Sequence, residues 1–217
     1  MTKFINKKSC YIGKDVTIGK NVTIYENKRL EGNTQISDNV TLLPNNYIKD
    51  SFIGEGTIIH SSVIEESMVE ERVKIGPFAH LRPNSTIKAD CKIGNFVEIK
   101  NSSIGTGSKV SHLAYVGDAK IGKGCNIGCG VIFANYDGKK KNKTVVGNHV
   151  FIGSNSNIIA PVVIESESYI CAGTTVTKDV NNGDFVIGRV RQENKNNRAI
   201  DYWQASTSQI LKNKKEK

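Results

Sequence analysis

The stretch IGPFAHLRPNSTIKADCKIGNFVEIKNSSI, residues 75–104, decides the fold, because an aliphatic residue returns in it almost every six positions. The series begins at Ile75 and reaches Ile104, with one step of five residues after Ile99. Neither the 3.6-residue period of an α-helix nor the two-residue period of a flat strand matches this interval. It predicts short strands joined by corners, three of which make one coil of a triangular prism.

The same pattern extends in both directions along the 217 residues. Aliphatic start residues run from Ile12 to Val176 with one interruption, and Gly often follows them, as at Gly76 and Gly94. Gly suits positions where a side chain would collide with a neighbouring coil. The sequence therefore predicts an all-β fold over residues 1–180, a left-handed parallel β-helix of hexapeptide repeats.

Two segments depart from the repeat. Residues 134–145, ANYDGKKKNKTV, are predicted to form a loop inserted at one corner, where solenoids often carry binding residues. Residues 181–217 are predicted to form a C-terminal arm, a short helix over 198–211 and a basic tail. The helix is expected to pack three apolar side chains, those of Ile200, Trp203 and Ile210.

The amino-acid composition indicates which kinds of partner the protein can bind and which compartment and metal content to expect. A formal net charge of +9 favours an anionic partner, such as a phosphorylated metabolite, coenzyme A, nucleic acid or an acidic surface. Five scattered cysteines without a CxxC pair, and no signal peptide or long apolar run, predict a reduced, cytoplasmic protein. The four histidines lack the close pairing of a catalytic zinc site, so no metal is expected.

Stacked coils align residues one coil apart in columns with a spacing of about 4.8 Å. One column, two positions after the start residues, contains His112 followed by Cys129, Ser154 and Ala172. Because the residues that follow the histidine in this column have small side chains, the column is predicted to form a shallow track along the surface of the prism. Such a track fits a thin, extended cofactor, for example the pantetheine arm of coenzyme A.

A second column aligns two cations. Arg82 and Lys100 each follow a start residue and are eighteen residues apart. Because stacked like charges repel unless an anion bridges them, the pair favours a phosphate site over two solvated surface cations. Glu98 and Tyr115 lie one coil apart beside the column of His112, and Glu98 is predicted to orient the imidazole.

Several strings of sequence resemble one enzyme family, the acetyltransferase domain of bacterial bifunctional N-acetylglucosamine-1-phosphate uridyltransferase/glucosamine-1-phosphate N-acetyltransferase. The resemblance is dense over residues 75–190 and remains in register over residues 12–74. It is carried by IGPFAHLRP (75–83), IGNFVEIK (93–100), SHLAYVGDA (111–119), NIGCG (126–130), NYDG (135–138), VFIGSN (150–155), AGTTVTKDV (172–180) and VIGRV (186–190).

Matching positions carry roles from the family onto this chain. The resemblance implies that His112 is the general base. The implied sugar-phosphate contacts are Arg82, Lys100, Tyr115, Asn126 and Lys141. The implied acetyl-coenzyme A contacts are Cys129, Asn135, Tyr136, Ser154, Ala172 and Arg189. It also implies a homotrimer with sites at subunit interfaces, a small amino-sugar phosphate as substrate, and neither nucleic acid nor membrane as partner.

Three residues depart from the family pattern. Cys129 stands where the family usually has Ala, Gly188 where it has Ser, and Arg191 where it has Pro. The repeats begin almost at once, so the uridyltransferase domain of the family is expected to be missing, either in a natural single-function protein or in a truncated form.

The function that the resemblance implies is the acetyl-coenzyme A-dependent conversion of glucosamine 1-phosphate to N-acetylglucosamine 1-phosphate. This step belongs to the synthesis of UDP-N-acetylglucosamine, a precursor of peptidoglycan and the cell wall. Two alternatives stay open. The chain is otherwise a hexapeptide acetyltransferase for another amino sugar or small amine, or a non-catalytic β-helix that serves oligomerisation or regulation.

Overall fold

The computed structural model describes residues 1–201 and 203–204, and its regular structure is almost entirely β. One turn of 3-10 helix, Lys7–Ser9, precedes the repeats, and a short helical segment includes residues 198–201 and 203–204. None of the helical segments in this described part of the chain has the length and hydropathy that a bilayer crossing requires.

Three parallel sheets form the faces of the prism. The first sheet contains Lys3–Phe4, Thr23–Ile24, Thr41–Leu42, Ile58–Ile59, Lys74–Ile75, Lys92–Asn95, Lys109–His112, Asn126–Ile127, Phe151–Ile152, Tyr169–Ile170 and Phe185–Val186. The second sheet contains Cys10–Ile12, Lys28–Glu31, Asn46–Lys49, Val63–Glu65, His80–Leu81, Glu98–Lys100, Tyr115–Gly117, Ile132–Ala134, Asn157–Ile159 and Thr175–Val176. The third sheet contains Thr17–Ile18, Gln35–Ile36, Phe52–Ile53, Ser67–Val69, Ser85–Ile87, Ser103–Ile104, Ala119–Ile121, Thr144–Val146 and Val162–Ile164.

Each strand pairs in parallel with the strand one coil further along the chain. In the first sheet, for example, Ile75 lies opposite Ile93, and Ile93 lies opposite Val110. The chain visits the three sheets in turn, so every coil adds one short strand to each face. The left-handed parallel β-helix predicted from the six-residue interval is confirmed.

The start residues of the repeat make the core. Ile93, Ile99 and Ile104, which lie in three consecutive strands, have no exposed surface. One continuous hydrophobic cluster of such residues extends from Val22 to Val180. Since burying one aliphatic side chain contributes roughly 1.5–3 kcal/mol, the stack of aliphatic side chains is the main favourable term in the stability of this fold.

At the corners of the prism, serine hydroxyl groups form hydrogen bonds with backbone N–H and carbonyl groups. The Ser102 hydroxyl donates to the carbonyl of Lys100 at 2.7 Å and accepts from the backbone N–H of Ala119 at 2.9 Å. Ser108 makes the same pair of contacts with Gly122 and Cys125. Buried backbone groups require such partners, so small hydroxyl residues recur where the chain turns between faces.

The C-terminal segment departs from the prism after a further strand, Phe185–Val186, has joined the first sheet. Residues 187–200 are all exposed. Ile200 and Trp203 remain 51% and 74% exposed, and the packing expected of these two side chains stays a prediction. The third residue, Ile210, lies outside the described residues.

Close contact between coils predicts that Gly→Ala changes the free energy of unfolding very differently at two glycines that occupy the same repeat position. A Cβ on Gly94 would overlap the backbone carbonyl of Ser111, whereas on Gly13 its nearest neighbour would be the Leu30 oxygen at 3.3 Å. We expect Gly94→Ala to lower the free energy of unfolding by about 1–3 kcal/mol, the usual cost of overpacking. Gly13→Ala is the matched control, and equal urea midpoints for the two variants would contradict this close packing.

Candidate active site

The register of the first sheet aligns the small-residue track. Asn95 lies opposite His112, one coil earlier. Beyond His112, the backbone N–H of Asn155 bonds the carbonyl of Cys129, and that of Gly173 bonds the carbonyl of Ser154, both at 2.8 Å. His112, Cys129, Ser154 and Ala172 therefore follow one another along the prism, one residue per coil. The thiol of Cys129 is exposed on this track.

The imidazole of His112 is held by an amide. Its Nδ1 lies 2.7 Å from Oδ1 of Asn95, which is an acceptor, so Nδ1 carries the proton and donates it. In a neutral imidazole with this tautomer, the other ring nitrogen, Nε2, has the lone pair that accepts a proton. This arrangement gives the exposed side chain the tautomer that a proton acceptor needs.

Glu98 does not take the role predicted for it. Its carboxylate accepts a hydrogen bond from Arg82 at 2.8 Å on the second sheet. The prediction that Glu98 orients the imidazole of His112 is wrong, because the residue that does so belongs to the first sheet. Asn95 could have been found from the sequence, since it precedes His112 in the same column.

The predicted pair of cations is present on the second sheet. Leu81 lies opposite Ile99, which aligns the following residues, Arg82 and Lys100. The hydrogen bond to Glu98 raises the pKa of Arg82 and balances its charge, although both side chains remain solvated. Glu98 thus relieves part of the repulsion expected between the stacked cations and leaves other guanidinium N–H groups of Arg82 available.

A third cation reaches the pair from the inserted loop. The ammonium group of Lys141 lies close to that of Lys100 and is the main cause of the lowered pKa of Lys100. Arg82 acts in the same direction, whereas the negative charge of Asp118 opposes both. Three converging cations favour an anion at this place more strongly than the aligned pair alone.

The inserted loop is a compact hairpin. Tyr136 and Lys141 form an antiparallel bridge across it. The Asp137 carboxylate accepts hydrogen bonds from the backbone N–H groups of Lys139 and Lys140 at 2.9 and 2.8 Å, and from the Asn142 amide at 3.0 Å. These donors lower the pKa of Asp137 to about 2, the backbone N–H of Lys140 contributing most. The hairpin aims Lys141 back at the second sheet.

Gly117 makes room beside the cations. It lies opposite Lys100, one coil further on. A Cβ at this position would come within 2.5 Å of the Tyr115 hydroxyl and 2.7 Å of the Asn135 amide nitrogen. The two polar groups therefore meet above a residue without a side chain. Sequence reasoning missed Gly117, although its place after two cations in one column was a signal.

The remaining site residues lie further apart. Arg189 donates to the carbonyl of Ala172 at 2.6 Å and so marks the far end of the track. Tyr136 is exposed, and its hydroxyl bonds Gly138 within the loop. Asn126 belongs to the first sheet, between Lys109 and Phe151, and not to the face that carries Arg82. Within residues 1–201 and 203–204, no group of three His, Cys, Asp or Glu side chains is arranged to hold a metal ion.

Comparison with known families and proteins identifies relatives along most of the chain. The family described as the GMPPB C-terminal domain matches residues 63–136, and the bacterial transferase hexapeptide family (six repeats) matches residues 143–178. The bifunctional protein GlmU of Clostridium novyi (strain NT) is 52% identical over 190 residues, which are 88% of this chain and 42% of that protein. The bifunctional protein GlmU of Alkaliphilus metalliredigens (strain QYMF) is 46% identical over 192 residues, with the same two shares.

The chain thus spans about two-fifths of the length of these curated relatives. The resemblance to the bifunctional family that the motifs indicated is confirmed. Among solved structures, an Arabidopsis UDP-N-acetylglucosamine acyltransferase has a TM-score of 0.63 and 15% identity, over 80% of this chain and 68% of that one. At this identity the similarity supports the fold alone.

Proximity of the two ammonium groups predicts that the pKa of Lys100 depends on Lys141. Replacing Lys141 by Met removes the positive neighbour, which favours the charged form of Lys100, so the pKa of Lys100 should rise towards its usual value. The measurement is an NMR titration of isotopically methylated lysines. Lys143→Met, in the same loop, is the control, and a pKa of Lys100 that is identical in both variants would contradict the contact.

Proposed function

Because about half of its residues are identical to those of bifunctional GlmU proteins over 88% of its length, we propose that this chain is an acetyl-coenzyme A-dependent N-acetyltransferase. Its proposed substrate is glucosamine 1-phosphate and its product is N-acetylglucosamine 1-phosphate, in the synthesis of UDP-N-acetylglucosamine. The observation that carries this proposal is His112, oriented by Asn95 at the head of the small-residue track.

The proposed chemistry is a direct transfer. The nitrogen of the sugar amine attacks the thioester carbonyl carbon, the carbon–sulfur bond breaks, and coenzyme A leaves as a thiol. The attacking amine must lose a proton, which Nε2 of His112 accepts while Nδ1 donates to Asn95. A neutral imidazole near pH 7 is suited to this task. No covalent intermediate on the protein is required, so Cys129 is not a nucleophile in this scheme.

Substrate recognition rests on the three cations. Arg82, Lys100 and Lys141 would bind the sugar phosphate, since charge-assisted hydrogen bonds to phosphate are among the strongest in proteins. The Tyr115 hydroxyl and the Asn135 amide, which meet above Gly117, border the same place. A free amino sugar without phosphate would lose these contacts. The cluster therefore favours a phosphorylated amine over the alternative of an uncharged one.

Acetyl-coenzyme A is proposed to occupy the track on the other side of His112. The small side chains of Cys129, Ser154 and Ala172 leave a shallow path for its extended arm. Arg189 lies at the far end of this path, where its positive charge would bind an anionic group of the cofactor. Asn135 and Tyr136, from the loop, are the remaining proposed cofactor contacts. The thioester would then meet the amine at His112, between the track and the cations.

A homotrimer in the cytoplasm is the proposed state of the enzyme. Asn126 supports this proposal, because its face of the prism differs from that of Arg82 and Lys100. A neighbouring copy that packs its first sheet towards the second sheet of this one would bring Asn126 to the cations. Phe78 and Phe96, stacked at 5.5 Å and exposed on the corner beside the His112 column, offer apolar surface to such a copy.

The test of this function is thiol release from acetyl-coenzyme A by the purified chain with glucosamine 1-phosphate. His112→Ala should lower kcat by about 10²–10⁴-fold, the usual contribution of a positioned general base. His149→Ala, at another exposed histidine, is the matched control and should retain full turnover. Turnover of the His112 variant close to that of the control would remove His112 from the mechanism, and no release with any amino sugar would refute the activity.

The proposed cofactor track predicts selective protection of one thiol. Cys129 is exposed and lies between His112 and Ser154, whereas Cys10 is half-buried near the N-terminal end of the prism. Saturating acetyl-coenzyme A should slow the alkylation of Cys129 and leave that of Cys10 unchanged. Peptide mapping after timed alkylation measures both rates. If Cys129 reacts equally fast with and without the cofactor, the cofactor does not occupy this track.

A further inference from the structure

Asp118 is a buried carboxylate for which the proposed chemistry has no use. It follows Gly117 at a corner, with a positive φ of 50° and only 7% of its surface exposed. Burying a carboxylate is costly unless hydrogen-bond donors surround it. Its side-chain hydrogen-bond donors belong to two parts of the candidate site, the segment that follows Lys100 and the inserted loop.

The carboxylate bonds two side-chain amides. Asn101 donates to Oδ1 from the coil before, and Asn135, at the start of the inserted loop, donates to Oδ2 from the coil after. The backbone carbonyl of Asn135 also accepts a hydrogen bond from the backbone N–H of Asn142 at 2.7 Å, near the end of the loop. Through Asn135, the carboxylate therefore restrains both strands of the hairpin.

The backbone of Asp118 makes two further contacts. Its N–H donates to the carbonyl of Lys100 at 3.0 Å, and its carbonyl accepts from the N–H of Thr144 at 3.2 Å, where the chain re-enters the third sheet. The negative charge of Asp118 also raises the pKa of Lys100, against the effect of Lys141. One residue thus contacts Lys100, the beginning of the loop and its end.

We infer that Asp118 is a positioning residue that locks the loop of residues 134–145 onto the strand of Lys100, and thereby brings Lys141 to the anion-binding cations. The inference deepens the proposed function, on which its substrate rests, because the anion is the phosphate of the sugar. Asp118 touches neither the proposed base nor the track. Its effect on the anion passes through the position of the loop.

The decisive variants reverse the polarity of one hydrogen bond. In Asp118→Asn, an amide donor replaces one oxygen and faces a second donor, Asn101 or Asn135. In Asn135→Asp, two carboxylates face each other instead. The double variant D118N/N135D restores a donor and an acceptor between these positions, so it should recover what each single change loses. A role that depends only on the negative charge at position 118 would not predict this rescue.

Trypsin provides a readout that needs no turnover, since the loop contains Lys139, Lys140, Lys141 and Lys143. Asp118→Asn should increase the rate of cleavage in the loop by about tenfold, the order of effect expected when a buried polar group loses its partner. Inorganic phosphate should slow cleavage of the wild-type loop and have little effect on this variant. Asp90→Asn is the control, because Asp90 also lies at a corner with a positive φ, 61°, but its side chain is exposed and pairs with Arg72 and not with the loop.

The same variants are then assayed for acetyl transfer. Asp118→Asn should raise KM for glucosamine 1-phosphate about tenfold with a smaller change in kcat, and D118N/N135D should lower that KM again. Cleavage and KM that match those of Asp90→Asn would overturn the inference, as would a double variant no better than the single ones. If Asp118→Asn does not fold, Asn135→Ala removes only the loop side of the bond, and its rate of trypsin cleavage in the loop is compared with that of Asp90→Asn.

The two proposals fail in different ways. If the chain acetylates no amino sugar but trypsin cleavage and phosphate protection follow the expected order, the proposed function is refuted and the role of Asp118 stands. If wild type turns over glucosamine 1-phosphate and Asp118→Asn behaves as the control in both assays, the function stands and the role of Asp118 is refuted.

Discussion

The stacking of inward-pointing aliphatic side chains is the constraint on which the rest of this structure depends. Strands of two to four residues cannot hold a register by their own hydrogen bonds, so the buried residues Ile75, Ile93 and Val110 and their equivalents hold it for them. A shift of one residue would turn each aliphatic side chain outward and a charged neighbour inward. The core therefore determines which side chains become neighbours on every outer face, including the face that carries the site.

Two kinds of polar contact operate on this scaffold. Within a column, side chains meet because their coils are adjacent, as Asn95 meets His112. Between the prism and the loop, contacts are made by chain that has left the repeat, as when Lys141 approaches Lys100. The positive charge assembled in this way is balanced only in part, by Glu98 and by the buried Asp118. A surface with this excess of positive charge favours the binding of an anion.

Most of the fold, and the alignment of the proposed track, could be predicted from the sequence. The column of His112, Cys129, Ser154 and Ala172 follows from counting residues, because a parallel register conserves position from coil to coil. Counting residues does not show which side chains of two neighbouring columns form hydrogen bonds with each other. Glu98 was assigned to His112 but bonds Arg82, since the corner after the first sheet separates the two faces and side-chain direction decides which atoms meet.

The sequence by itself determined the solenoid, its three faces and the columns in which most of the proposed site residues stand, because the aliphatic period is local and repeats with every strand. Only the tertiary structure decided how the loop of residues 134–145 closes, where Lys141 points, and why Asp118 is buried. The loop has no period, and its conformation rests on hydrogen bonds to Asp137 and Asp118. The partners of Asp118 lie in coils on either side of it, so they meet only after the prism has formed.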